Sequence, residues 1–384
     1  MKKLGFGLMR LPLIDPNDLS KVDLEQVKKM ADEFIKEGFT YFDTAYPYHK
    51  NGFSELAFRE CVAKRYPRDA YTIADKLSLF MIDRKEDIPA FFESQLERCG
   101  VDYFDYYLLH AMRQELVEKA EQMDAFSFVF EKKREGKIKQ VGFSFHDSPE
   151  VLEKMLQAYP DIDFVQLQIN YLDWEDPSVQ SRRCYDLCVK YHKKVIVMEP
   201  VKGGLLSVVP EEAKNLLKEK APERSTASWA IRFAASLDSV MVVLSGMSNL
   251  EQLEDNLSYM KEFAPLSKEE FELVFQVAKI IKEKETIPCT SCSYCVDGCP
   301  MNIPIPKYFA LINLLSKFGE SQREEAERRY QNALQRGYGK ASDCIGCGQC
   351  ESHCPQHIEI REMLKLVAKE FESKRGVHPS FYFV

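Results

Sequence analysis

One arrangement of cysteines constrains this chain more than any other feature. Cys289-x2-Cys292-x2-Cys295-x3-Cys299-Pro300 recurs as Cys344-x2-Cys347-x2-Cys350-x3-Cys354-Pro355. A cubane needs four thiolates from different directions. Three at x2 spacing let a tight loop wrap one cluster, and the fourth, beside a proline that turns the chain away, reaches the other cluster. By that rule Cys289, Cys292, Cys295 and Cys354 hold one [4Fe–4S] cluster, and Cys344, Cys347, Cys350 and Cys299 hold a second. A pair of zinc sites is the alternative, but zinc ribbons use C-x2-C pairs, not triplets with a fourth Cys-Pro. Two clusters suggest an electron wire, with a structural brace as the alternative.

The 44 residues between Cys299 and Cys344 read as helical, too long a spacer for a compact β-hairpin module. The doubled run is similar to the two-cluster ferredoxin signature, and with this spacer it resembles the α-helical ferredoxin-like relay domains of larger redox enzymes. Cys61, Cys99, Cys184 and Cys188 lie outside it. Cys184 and Cys188 stand i, i+4 on a helix with no third ligand nearby, so they read as core thiols. Twelve cysteines used this way suit a reducing compartment, and the expectation is a cytoplasmic protein. The net charge of −8 argues against a nucleic-acid groove. No apolar run reaches the roughly 20 residues that span a bilayer, and MKKLGFGLMRLP does not read as a signal peptide.

Upstream, eight short apolar runs alternate with amphipathic stretches. The runs are 4–10, 40–45, 71–76, 103–110, 139–145, 163–170, 194–200 and 239–246. In LEQVKKMADEFIKEG apolar residues recur three and four apart, with Gly38 as the stop. Repeated strand–helix–strand units predict parallel strands with right-handed crossovers. They close either as an open doubly wound sheet or as a (β/α)8 TIM barrel. Eight units without GxGxxG after the first strand favour the barrel. The expected fold is α/β: a barrel over 1–265, a bridging helix over 266–286, a mostly helical two-cluster domain over 287–357, and a helix with an aromatic tail, HPSFYFV, over 358–384.

Polar residues collect at the C-terminal strand ends, the rim where barrel enzymes carry their chemistry. Carbonyl reduction needs a proton donor beside the reacting oxygen. A tyrosine serves if a lysine lowers its pKa, a carboxylate anchors the lysine, and a histidine can orient the carbonyl. Asp43, Tyr48, Lys76 and His110 occur in that order on consecutive βα units. Together with LGFGLMRLP, FDTAYPYHKNGFSE, LLH and KIKQVGFSFH, they resemble the aldo-keto reductase superfamily over about residues 3–260. The resemblance implies Tyr48 as general acid, Lys76 as its pKa-lowering partner, Asp43 as the anchor of Lys76, and His110 as the orienter. Tyr46 is a rival that fits the family spacing less well.

The resemblance also implies an NAD(P)H site. Ser144, Gln166 and Asn170 would lie at the nicotinamide, Met198 where an aromatic ring usually stacks, and Gly203 and Gly204 at the pyrophosphate. Gly246, Ser248, Asn249 and Asn256 would lie along the adenosine end. No Lys or Arg occurs in 245–256 to grip a 2′-phosphate, so NADH or a flavin competes with NADPH. Hydride moves two electrons and each cluster one, so coupling them calls for a converter such as a flavin. The leading expectation is an oxidoreductase acting on a small carbonyl or alcohol. The alternatives are a reductase driven by flavin or a ferredoxin-type partner without nicotinamide, and a non-catalytic electron-transfer or redox-sensing subunit.

Overall fold

A computed structural model describes residues 2–373, apart from 16, 17, 51, 178, 285 and 319–321. The tail HPSFYFV lies outside the described residues. Eight strands close a parallel barrel in chain order: β1 (Leu4–Gly7), β2 (Tyr41–Asp43), β3 (Thr72–Leu77), β4 (Phe104–Met112), β5 (Ile138–Phe145), β6 (Phe164–Gln168), β7 (Lys194–Met198) and β8 (Val240–Ser245). Each strand answers one apolar run of the sequence. Several are shorter than expected, because the polar ends of the runs leave the ladder and turn into loops. Among the described residues, no helix is long and apolar enough to cross a membrane.

Local chemistry sets the helices. Asp23 caps Leu24–Lys36 by accepting from Gln26 N, and Gly38 leaves it at φ 79°. Val27, Met30, Ala31 and Phe34, spaced three and four apart, are its buried face. Phe34 meets Phe6 of β1 edge-on at 5.6 Å. Each large side chain buried this way contributes roughly 1.5–3 kcal/mol.

Inside the barrel, strand alternation stacks the side chains in layers. Tyr41, Ala74, Leu108, Phe164, Ile196, Val242 and Leu244 form an apolar layer. Gly142 belongs to the same tier, and a Cβ there would lie 2.6 Å from the ring of Phe164.

The chain divides into two compact units, Met1–Lys202 with Lys220–Gln276 and Gly203–Glu219 with Val277–Val384. The cuts fall elsewhere than at 265 and 286, and the helix Lys268–Lys284 runs through one of them. In the second unit the helices Ile305–Phe318, Arg323–Gln335 and Ile360–Phe371 pack around Tyr308, Phe309, Ile312, Tyr330, Leu364 and Val367. The rings of Tyr308 and Tyr330 stand 4.5 Å apart.

Candidate functional site: a barrel-mouth tetrad and two cysteine-lined cavities

A polar layer lies two residues beyond the apolar one. Asp43 follows Tyr41, Lys76 follows Ala74, His110 follows Leu108, Gln166 follows Phe164 and Met198 follows Ile196. The period of two aims all of them at the barrel axis. The register staggers neighbouring strands: Asp43 pairs Ala74 and Lys76 pairs Leu108, each one layer down, whereas Ser144 pairs Gln166.

Lys76 is fully buried and its Nζ donates to Asp43 Oδ1 at 2.6 Å and to the Thr44 carbonyl at 2.7 Å. Burial pushes the Asp43 carboxyl up, and the ammonium pulls it partly back. The same ammonium sits 4.9 Å from the centroid of the Tyr48 ring, a cation–π distance. The phenol is not acidified, contrary to expectation. Desolvation raises Tyr48 well above its usual 10, the charges of Asp43, Glu199 and Asp75 add to the rise, and Arg10 opposes it. Lys76 gives its hydrogen bonds to Asp43 and Thr44, so dehydration prevails and the phenol keeps its proton.

His110 stands edge-on to Tyr48, ring centroids 6.1 Å apart and planes at 86°. Burial first, then the positive charges of Lys76 and His146, hold its pKa well below 6.5, so the imidazole is neutral at pH 7. Ser78 Oγ lies 2.8 Å from its Nδ1. With Ser78 donating, the proton rests on Nε2, where a carbonyl can accept it. Sequence reasoning missed Ser78, although alternation along β3 places it on the face of Lys76. Next to His110, Ala111 holds a left-handed backbone at φ 57°, where the register with β5 shifts.

A second polar network backs Lys76 through the main chain. Gln95 Nε2 donates to Glu55 Oε1 at 3.1 Å and to Asp75 Oδ1 and the Lys76 carbonyl at 3.0 Å. Asp75 Oδ1 also accepts from Lys76 N at 2.8 Å. Arg98 pairs with Glu55. Burial pushes both Glu55 and Asp75 above the usual carboxylate range. None of Glu55, Gln95 or Arg98 stood out in the sequence.

The residues expected along a dinucleotide divide. Gln166 Nε2 contacts Met198 Sδ at 3.4 Å, while its buried Oε1 has no hydrogen-bond partner. Ser144 Oγ accepts from Ala111 N at 2.7 Å. Asn170 is used by the fold: its amide donates to Asp173 Oδ2 at 2.8 Å and to the Glu199 carbonyl at 3.1 Å, and its Oδ1 accepts from Leu172 N and Asp173 N. Asp173 in turn forms a buried ion pair with Lys202 at 2.6 Å, unforeseen from sequence. Asn249 caps Leu250–Met260 by accepting from Gln252 N, and Ser248 N donates to Gln252 Oε1. Asn256 donates to Ser245 Oγ at 2.7 Å and accepts from Tyr259. Arg10 side-chain carbons lie 3.2–3.3 Å from a Cβ built on Gly246, Ser248 Oγ donates to the Arg10 carbonyl, and the guanidinium stands 3.9 Å from Glu199. Gly203 and Gly204 belong to the second unit, both at positive φ.

In that second unit, Cys289, Cys292, Cys295 and Cys354 line one cavity. Cys299, Cys344, Cys347 and Cys350 line another. Each takes three thiols from one loop and the fourth from the other, and Ile305 borders both. Among the described residues, no three His, Cys, Asp or Glu side chains converge on a single metal ion. The loops repeat in backbone as in spacing: Ser291 and Gly346 have φ 58° and 75°, Ser293 and Gly348 69° and 77°, and Asn302 and His357 both 51°. Helix side chains pin both loops from behind. Asn313 clamps Ile287 through its N–H and its carbonyl, and Tyr330 Oη accepts from Ala341 N.

The chain matches the pattern of the Aldo/keto reductase family over residues 3–279 and that of the 4Fe-4S dicluster domain over 288–359. An uncharacterized oxidoreductase of Schizosaccharomyces pombe is 24% identical over 67% of this chain and 81% of its own. The oxidoreductase YqkF of Bacillus subtilis, also uncharacterized, is 25% identical over 67% and 86%. Among solved structures, the holo form of an aldo-keto reductase from Bacillus halodurans aligns with TM-score 0.56 and 26% identity, covering 72% of this chain and 92% of that one. An aldo-keto reductase from Klebsiella pneumoniae in complex with NADPH aligns with TM-score 0.54, at 19% identity over 73% and 90%, and shares the fold.

Proposed function

Because the chain belongs to the aldo/keto reductase family, we propose that it interconverts a small aldehyde or ketone and its alcohol at the barrel mouth, with Tyr48 as the proton donor. One observation carries this reading: the ammonium of Lys76, fixed on Asp43 at 2.6 Å, sits 4.9 Å from the ring of a protonated Tyr48. A phenol that keeps its proton is the form a general acid needs. His110, neutral and oriented by Ser78, offers its Nε2 proton to the carbonyl oxygen and sets its angle beside the phenol. As charge grows on that oxygen, the phenol proton moves to it. The ammonium then faces the phenolate it leaves behind, an interaction stronger in the transition state than in the ground state.

A bound nicotinamide would supply the hydride that, with the phenol proton, balances the conversion of carbonyl to alcohol. The residues fit that group. Gln166 Oε1, a buried acceptor without a partner, matches the amide protons of a carboxamide. Arg10, whose side-chain carbons pack at Gly246 and whose guanidinium stands 3.9 Å from Glu199, would have to turn from that carboxylate to meet a phosphate, so NADH and NADPH both stay open.

The iron–sulfur domain would hold two [4Fe–4S] clusters, one on Cys289, Cys292, Cys295 and Cys354 and one on Cys344, Cys347, Cys350 and Cys299. The two cavities, each lined by four thiols, support this pairing. One observation favours a second reading, in which a ferredoxin-type donor feeds electrons inward and a flavin converts single electrons to pairs. Cys347 is exposed and neighbouring Ile345 is 64% exposed, so the second loop presents its ligand to solvent.

Anaerobic mixing with NADH or NADPH and a panel of small aldehydes tests the choice. The proposal expects alcohol in proportion to dinucleotide oxidised. Alcohol formed only with a low-potential one-electron donor would favour the second reading.

A further inference from the structure

Gly203 has a neighbour that its sequence context does not suggest. Inside the second unit, a Cβ built on it would lie 2.0 Å from the carbonyl oxygen of Thr290, 2.6 Å from its carbonyl carbon and 3.0 Å from its Cα. These are main-chain atoms, and Thr290 is itself buried, so they cannot swing aside as a side chain would. The backbone of Gly203 is also left-handed, at φ 63°. Gly204 has the same kind of backbone, at φ 96°, yet nothing lies within 4 Å of its Cβ position. The two glycines therefore differ in one respect. Gly204 is open, and Gly203 is pressed against the loop that carries Cys289 and Cys292.

We propose that Gly203 is a positioning residue for the first iron–sulfur cluster: it seats Thr290 and thereby holds Cys289 and Cys292 where they can share a cluster with Cys295 and Cys354. The inference rests on the iron–sulfur reading above and reassigns one of the two glycines that the resemblance placed at a pyrophosphate. Three features support it beyond the close approach. The segment Gly203–Glu219 clusters with the cysteine domain. Thr290 lines the same cavity as Cys289, Cys292, Cys295 and Cys354. The first loop also holds Ser291 and Ser293 in left-handed backbone where the second has Gly346 and Gly348, so it has more need of an external brace. Cβ atoms built on the second loop's own Gly346 and Gly348 meet nothing within 4 Å, and the close approach on that side is at Gly339, whose Cβ would lie 2.1 Å from the Met301 carbonyl oxygen beside Cys299.

The test compares Gly203→Ala with Gly204→Ala in the full-length protein purified anaerobically. Both substitutions strain a left-handed backbone, and only the first meets Thr290. Gly203→Ala should lower iron and acid-labile sulfide to about half of wild type, and its reduced protein should give the spectrum of a lone cluster. Cys347→Ser added to Gly203→Ala should then remove the remainder. Gly204→Ala should keep full iron. Full iron in both variants, or equal loss in both, overturns the proposal. If Gly203→Ala does not fold, wild-type protein decides. Hydrogen exchange across 203–207 should rise when the clusters are destroyed by oxidation and chelation, and unchanged exchange there overturns the proposal. Wild-type protein without iron would instead defeat the iron–sulfur reading itself.

Discussion

Lys76 Nζ and Asp43 Oδ1 lie 2.6 Å apart with side-chain exposures of 0% and 3%. An ion pair so far from water is held together as much by the cost of separating it as by its own attraction. Lys76→Met should therefore destabilise the barrel by about 3–5 kcal/mol. Burial already raises the Asp43 carboxyl, and loss of the ammonium raises it further, so the variant should fold with Asp43 protonated. Urea unfolding checks the first expectation, and infrared detection of a protonated carboxyl checks the second. A variant as stable as wild type would contradict the first, and a carboxylate band without the protonated carboxyl would contradict the second.

The His110 imidazole carries a pH signature. Its folded pKa lies well below 6.5, with burial as the main cause. Below about 6.5 the unfolded chain binds a proton that the folded chain refuses, so stability should fall as pH drops through that window. His110→Asn should flatten that part of the stability curve by up to one proton. Denaturation midpoints measured from pH 5 to 8 give the comparison, and identical slopes would count against a neutral buried imidazole.

Much of this architecture was legible in the sequence, for identifiable reasons. Strand runs such as VMVVLS and the two-residue period placing Asp43, Lys76 and His110 on one face are local signals. So is the x2-x2-x3 cysteine spacing. Other features depend on what the closed fold brings together. Arg10 reaches Gly246 and Ser248 only because β1 pairs β8 on closure. Gly203 and Thr290 are far apart in sequence, and no local pattern links them. Asn170 looked available to a ligand, but the turn containing Asp173 and the Glu199 carbonyl take its hydrogen bonds. The rise of the Tyr48 phenol comes from the dehydration that accompanies its burial beside Lys76, which no sequence pattern reports.

The crossed thiol sets make a sharp prediction for iron content. Cys354→Ser should disable the cavity of Cys289, Cys292 and Cys295, and Cys299→Ser that of Cys344, Cys347 and Cys350. Each single variant should keep about half the iron, and the double variant very little. Cys184→Ser, a buried thiol that burial pushes up to about 12, should keep it all. Iron and sulfide analysis decides. Full loss on Cys354→Ser alone would mean that the sites are not independent.

The two loops should also differ in how tightly they retain their contents. Ser291 and Ser293 occupy left-handed backbone at a cost of about 1–2 kcal/mol each, whereas Gly346 and Gly348 adopt it freely. Ser291→Gly with Ser293→Gly should slow chelator-driven loss of the first cluster, and Gly346→Ser should hasten loss of the second. Bleaching of visible absorbance under chelator gives both rates. Unchanged rates would show that backbone strain does not limit release.

The most direct test of the whole account is single-turnover reduction of a small aldehyde by Tyr48→Phe beside wild type, without oxygen and with reduced dinucleotide bound. Loss of the phenolic proton should slow the step by roughly 10²–10⁴-fold. Dinucleotide affinity and iron content should stay as in wild type. Turnover at the wild-type rate would place the proton donor elsewhere and contradict the reading of the barrel mouth.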